Sequence, residues 1–300
     1  MGIIINILEQ ASLFGLVALG VYITYKILDF PDLSVEGTYP LGACIAATLI
    51  VSGVNCIIAT IIAMIGGAIA GFITAFLHVK LKITNLMSGI LVMIGLYSIN
   101  LTIMGKSNTS LLNVNTLFSI KENNIFIMIG ILILFKILLD LFMKTKLGFL
   151  LFAVGDNEQV VTSLGVNKNN IKIIGLMISN AMVALSGALM AQSQGFADVG
   201  MGTGVVVKGL ACVIIGTSII GKIKLAKATS QSILGTVIYY TAISLALSGG
   251  LNPNLLNLLT AIVIIIALST QNISFKKKAF VKDGEDESAK DQSVVKSIQS

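Results

Sequence analysis

Few residues in this chain are equipped for chemistry, and the densest group lies at its centre. Over Ala153–Asn167 run Gly155, Asp156, Asn157, Glu158, Gln159, Val160, Val161, Thr162, Ser163, Leu164 and Gly165, with Ala153 and Val154 leading in. Asp156 or Asn157 can cap a short helix that starts near Glu158, whose carboxylate suits the positive end of the helix dipole. Gly165 is suited to the left-handed residue that closes such a helix. Val160, Val161 and Leu164 are expected on one face, with Glu158, Gln159 and Ser163 on the other. The chemistry on offer is recognition: an amphipathic helix on a membrane surface that a soluble partner can push, or that lies there passively.

A second group places carboxylates and glycines together where apolar helices begin. One copy is Asp32-Leu33-Ser34-Val35-Glu36-Gly37; the other is Asp198-Val199-Gly200-Met201-Gly202-Thr203-Gly204. Glycines permit unwound backbone, which at membrane depth is tolerated only beside protein or water. Such segments line a translocation path, or the acids cap helices in headgroup water. Lys208, about one turn into an apolar run, faces a cavity or a partner such as Asp198 or Glu36, or snorkels to the interface. Lys136 and Asp140, four apart, are explained by a helix-surface pair.

Several chemistries are excluded. The single histidine, His78, adjoins Lys80 at a helix end, so a Ser/His/Asp triad has no base in place. No His/Cys/carboxylate cluster has metal-ligand spacing, no cofactor motif is present, and there is no phosphate-binding loop of the Gly-x-x-x-x-Gly-Lys-Ser/Thr kind. The chain is therefore not expected to be an enzyme. Cys44, Cys56 and Cys212 fall inside apolar stretches and are expected to pack as small residues.

The elements that must position these residues are membrane helices. Of 300 residues, 55% are hydrophobic and 11% charged, too few charges to cover a water-soluble surface. Gly37–Leu77, Ile83–Gly105, Ile173–Ala197 and Ala228–Phe275 carry no Asp, Glu, Lys or Arg. Nine membrane segments are expected, at about 5–27, 35–52, 55–77, 84–104, 124–143, 171–192, 204–221, 229–248 and 254–272. The second, opening with Asp32, Glu36 and Pro40, is expected to be broken or partly re-entrant. All 20 basic residues are lysines, so the net charge of +6 reflects loops and not nucleic-acid binding. Lys80/Lys82, Lys144/Lys146/Lys168/Lys172, Lys222/Lys224/Lys227 and Lys276–Lys278 mark cytoplasmic loops by the positive-inside rule, with the N-terminus outside and the C-terminus inside. Met1–Tyr25 lacks a basic leader and is expected to be a retained span. The division expected is a transmembrane domain over 1–275, with a cytoplasmic loop over 144–170, and a disordered polar tail over 276–300. The two Asp–Gly segments lie five spans apart, an odd offset that implies inverted repeat halves, about 29–143 and 195–272. Ala63, Gly67 and Gly71, with Gly66 and Ala70, form a small-residue face for close helix packing, as do Ser186, Gly187 and Ala188.

The Asp32–Gly37 segment resembles the Asp-Leu-Ser-Val-Gly segment of ribose-type ABC permeases. Ala153–Asn157 followed by Leu164-Gly165-Val166 resembles the cytoplasmic loop of the branched-chain amino-acid/ribose permease family. Ser186–Leu189, Gly202–Gly204, Gly209–Ala211 and Ile215-Gly216 keep that family's order. The resemblance implies an all-α importer permease with inverted repeats, similar to the vitamin B12 importer type, in the bacterial cytoplasmic membrane. It implies a homodimer, two ATP-binding cassette subunits that hydrolyse ATP, and an extracytoplasmic solute-binding protein or lipoprotein. Asp156 to Gly165 then match the coupling helix. Glu36 departs from the pattern by separating Val35 from Gly37, and Asp29-Phe30-Pro31 precedes the motif. With Thr38–Ala43, that variant looks more like a subgroup linked to tryptophan or tyrosine uptake. An amino acid, aromatic or hydrophobic, is the implied cargo, with nucleosides and sugars as alternatives. An ion-coupled secondary transporter suits the broken helices too, and a membrane scaffold is a further alternative.

Overall fold

The structure, a computed structural model, describes residues 2–119, 124–220, 227–250, 252, 255–256 and 258–265. Helix α1 (Gly2–Val21) widens into a π-helical turn, Tyr22–Ile27. After a loop come α2 (Val35–Val51), α3 (Cys56–Leu81) and α4 (Asn85–Met104). A short strand β1 (Asn108–Ser110) precedes α5 (Asn124–Met143), then α6 (Lys146–Asp156), α7 (Glu158–Ser163) and α8 (Lys168–Gln194). Strand β2 (Phe196–Asp198), a 3-10 turn (Val199–Gly202), α9 (Val205–Ile215) with a π-helical continuation (Gly216–Ile220), and α10 (Ala228–Ser248) complete the order.

Local sequence sets the helix ends. Asn55 accepts the Ile57 N–H at the start of α3, and Asn167 accepts the Asn169 N–H at the start of α8. Helices α4 and α8 stop at Gly105 and Gly195, both left-handed, where a side chain would be strained. Among the described residues, seven helical stretches are long and apolar enough to span a membrane. Helix α2 is shorter, 17 residues, and is one continuous helix with Pro40 inside it, not the broken one expected from its sequence. Eight expected segments coincide with helices. The ninth, 254–272, lies mostly outside the described residues, which are helical over 258–265. Lys222, Lys224, Lys276–Lys278 and the tail also fall outside them.

Helix α8 runs through the middle: it is buried on every face from Met182 to Gln192. Small residues let α3 approach it closely. A Cβ on Gly67 would fall 2.5 Å from the Asn180 carbonyl oxygen, and one on Gly71 2.3 Å from that of Leu176. Helix α2 packs on another face, with Gly42 against the Ala184 backbone and Gly187 against the Tyr39 carbonyl. Ser186 Oγ donates to the Leu13 carbonyl at 2.7 Å, fastening α1. Both expected small-residue faces are thus packing surfaces. Asp140, expected to pair with Lys136, does so at 2.8 Å and also receives Lys227 at 3.1 Å and Thr229 Oγ1 at 2.6 Å, which ties α5 to α10. The outward faces of α3 (Ile58, Ile65, Ile69) and α5 (Leu134, Ile137, Leu141) are apolar and exposed, as lipid or a neighbouring helix requires.

Candidate functional site

The 196–204 segment leaves the far end of α8 and folds back along α2. Strands β1 and β2 pair antiparallel, Asn108 opposite Asp198, at the end of α8 remote from Lys168 and Lys172. The chain then passes through the 3-10 turn to reach Glu36 and Pro40. Pro40 has no N–H to give the Glu36 carbonyl one turn earlier. Gly202 packs against that carbonyl so tightly that a Cβ there would sit 1.9 Å from the oxygen. Proline and glycine together create the contact on which α9 begins.

Helix α9 opens at Gly204, left-handed at φ 73°, without a side-chain cap of its own. Glu36 approaches it from another helix: its carboxylate lies beside the backbone N–H groups of Gly204 and Val206, and Lys208 acts on it electrostatically. Among the described residues no Glu36–Lys208 ion pair closes within 4.0 Å. Of the partners expected for Lys208, Glu36 is the neighbour; Asp198 is engaged elsewhere.

Between α2, α4 and the folded-back segment lies a cavity of about 390 Å³. Pro40, Met93, Ile94, Tyr97 and Val199 give it apolar walls; Glu36, Ser98, Asn100 and Thr203 are its polar side chains, and Gly37 and Gly200 line it with backbone. Such a mix of apolar wall and few polar groups is typical of small-molecule sites. Asn100 is fully buried and donates through Nδ2 to the Gly37 carbonyl at 3.2 Å, while its Oδ1 has no partner. Sequence reasoning missed Asn100 and Tyr97. The available signal was an amide within an uncharged 20-residue helix, a placement costly in lipid unless the amide is used.

Asp32 is placed differently. It is 4% exposed and lies away from the cavity lining. Its Oδ1 accepts the Ser34 N–H and its Oδ2 accepts Asn180 Nδ2, both at 2.8 Å, while Ser34 Oγ donates to Asn180 Oδ1 at 3.2 Å. Asn180 is twelve residues into α8, about 18 Å from its start at 1.5 Å per residue, so α2 begins roughly half-way along α8. Asp198 is half-exposed: its Oδ1 accepts the Gly200 N–H at 2.6 Å and Oδ2 accepts Asn108 Nδ2 at 3.4 Å. Of the residues expected along a path, Glu36, Gly37 and Gly200 line one cavity, with Gly202, Gly204 and Lys208 beside it, whereas Asp32 and Ser34 are sealed in packing.

At the lysine-bearing end, α7 forms as its capping residues dictate. Asn157 caps it by accepting the Gln159 N–H at 2.9 Å, Asp156 ends α6, and Gly165 is left-handed at φ 74°. The expected face is corrected: Val161 is wholly buried, while Val160 and Leu164 point outward, 49% and 66% exposed. In a six-residue helix, adjacent positions 160 and 161 lie about 100° apart and cannot share a narrow face. Gly155 is packed within the chain: a Cβ on it would meet the Ile27 carbonyl at 1.7 Å. Glu158 turns back to the base of α8, bonding Lys168 at 2.5 Å and Lys172 at 2.6 Å. The hydrogen bonds from Lys168 and then Lys172 hold its carboxyl down at about 2. Lys172 also reaches His78 Nε2 at 3.4 Å, His78 Nδ1 meets the Ile83 carbonyl at 2.8 Å, and the imidazole stands edge-on to Phe30 at 5.2 Å. One chain of contacts therefore runs from α7 through α8 and α3 to the loop before α2.

Comparison with known proteins places this arrangement among relatives. The profile of the family described as "Branched-chain amino acid transport system / permease component" matches residues 3–268. The Tyrosine transport system permease protein of Clostridioides difficile (strain R20291) is 50% identical over 275 residues, 92% of this chain and 93% of that protein. The Ribose import permease protein RbsC of Escherichia coli (strain K12) is 25% identical over 89% of this chain and 84% of its own length. Among solved structures, PsaBC from Streptococcus pneumoniae in complex with Fab superposes with a TM-score of 0.54 at 17% identity, covering 90% of both chains, a likeness of fold.

Proposed function

The chain belongs to the family of branched-chain amino acid transport system permease components, and from that premise we propose that it imports an amino acid, tyrosine or a near relative, into the bacterial cytoplasm. It is the membrane permease component of an ABC-type transporter. In this reading two copies pair, two ATP-binding cassette subunits dock below, and a solute-binding protein delivers cargo from outside. The 50% identity to a protein named for tyrosine transport supports the cargo. The path runs beside Glu36, Gly37, Gly200, Gly202 and Gly204, with Lys208 at its edge.

The observation that carries the coupling part is the form of α7. Phe149, Val160 and Leu164 are exposed apolar side chains on or beside a helix whose own charge is spent inward on α8. That leaves an apolar surface for a soluble partner to grip, and an ion-paired root through which a push reaches α8. The nucleotide-driven approach or separation of two cassettes would then rock the α8-centred bundle, giving alternating access.

The test is ATP hydrolysis by the assembled transporter in lipid, with cargo-loaded binding protein added. Val160→Asp with Leu164→Asp alters only exposed side chains, so the permease is expected to fold and melt as wild type. Stimulation of hydrolysis by the binding protein is expected to fall at least tenfold, in line with loss of about 1.4 kcal/mol or more of interface. Undiminished stimulation would remove α7 from the coupling role.

A further inference from the structure

The cavity beside Glu36 has an imbalance of hydrogen-bonding groups. Its one formally charged lining residue is an acid, Glu36, and no lysine lines it. The carboxylate lies beside the Gly204 and Val206 N–H groups of the α9 start, and its two oxygens can accept about four hydrogen bonds. Asn100 adds a second acceptor. Its Nδ2 is committed to the Gly37 carbonyl, which fixes the orientation of the amide, and its Oδ1 has no donor although the residue is fully buried. A buried acceptor left unpaired costs about 1–3 kcal/mol, so a wall that keeps one is short of a donor. Tyr97, 55% exposed, adds an aromatic ring to the same wall, and aromatic faces attract cations.

From these groups we infer that the cavity is a cargo subsite for a primary ammonium group, held by Glu36 and Asn100 Oδ1 against the Tyr97 ring. The inference rests on the import reading above and sharpens it to one functional group of the solute. It also gives Glu36 a purpose: the acid that interrupts the Val-Gly pair is the residue that selects an amine-bearing cargo over an uncharged sugar. Lys208 acts on the carboxylate without closing on it and does not line the cavity, so the acid stays available to a second cation.

The experiment is equilibrium binding of radiolabelled L-tyrosine to the full chain in lipid nanodiscs, without any binding protein. Tyramine, which keeps the ammonium, and 3-(4-hydroxyphenyl)propionate, which lacks it, serve as competitors. Saturable binding displaced by tyramine but not by the deaminated acid is the expected result. Glu36→Gln keeps oxygen and shape at the α9 start and is expected to weaken tyrosine about ten- to a hundredfold, the range of one charge-assisted hydrogen bond, and to erase the preference for tyramine. Asn100→Leu is expected to weaken it about tenfold. Equal displacement by the deaminated acid, unchanged binding by Glu36→Gln, or no saturable binding would each overturn the subsite. ATP-driven tyrosine uptake by the whole transporter, measured in parallel, separates the two readings: uptake that persists without an amine preference leaves import standing and removes only the subsite, and amine-selective binding without ATP-driven uptake does the reverse.

Discussion

Asp32 and Asp198 stand in similar words of sequence and meet opposite physical fates. Each is followed by apolar and small residues and then by a helix. Asp32 is sealed between α2 and α8, both oxygens used by Ser34 and Asn180. Asp198 is half-exposed at the strand pair, capping a short 3-10 turn. The difference comes from what lies opposite. Across from Asp32, α8 offers an amide whose other atoms are also bonded; across from Asp198 stands Asn108, at 3.4 Å. The same carboxylate is a core residue where the partner helix carries a polar group and a turn residue where it does not. The acid at the cavity is neither of them but Glu36.

The largest effect that would test this contrast is at the sealed site. Asp32→Leu strands the Ser34 N–H in the core and leaves one Asn180 Nδ2 hydrogen without its acceptor, at about 1–3 kcal/mol for each unpaired group. The purified permease is expected to melt well below wild type, or to be recovered poorly, and wild-type melting would show that the buried network carries no stability. Next is Gly202→Ala, whose methyl has no room against the Glu36 carbonyl. Overpacking of about 1–3 kcal/mol is expected there, seen as a lower melting temperature and a wider cavity. Asp198→Ala should cost less, about 1 kcal/mol for a lost cap; a loss as large as that of Asp32→Leu would erase the distinction between the two sites.

The smallest effect comes from an acid that has cations on both sides. Glu158 has its carboxyl lowered from 4.5 to about 2 by Lys168 and Lys172. Its stabilisation is complete above the unfolded value near 4.5 and is lost as pH falls toward 2. Because the pair is 40% exposed, solvent screens it, and the whole contribution is expected below about 1 kcal/mol. Melting curves of wild type and Glu158→Gln should therefore converge as pH drops through that window.

Most of the helices were legible because uncharged runs longer than a bilayer span leave little alternative. The cap at Asn157, the turn at Gly165 and the small-residue faces of α3 and α8 were legible for local reasons: each depends on residue type and spacing alone. The outward turn of Leu164 and Val160, the close packing of Gly155 and the burial of Asp32 were not, since they depend on which helix lies alongside. Glycine at 155 looks the same in sequence whether it frees a loop or admits a carbonyl. Asn100 escaped notice because an amide inside an apolar helix looks the same in sequence whether its hydrogen bonds are complete, as at Asn180, or not, and only the fold shows which.

The glycines at 67 and 71 have a mechanical consequence. Where side chains separate two helices, their rotamers act as a compliant layer that absorbs small displacements. Between α3 and α8 that layer is missing where Gly67 and Gly71 meet the Asn180 and Leu176 carbonyls, and backbone bears on backbone. A load applied at Lys172 is passed along the pair with little give, so both helices swing as one stiff beam, and a small tilt at one end is magnified into travel at the other.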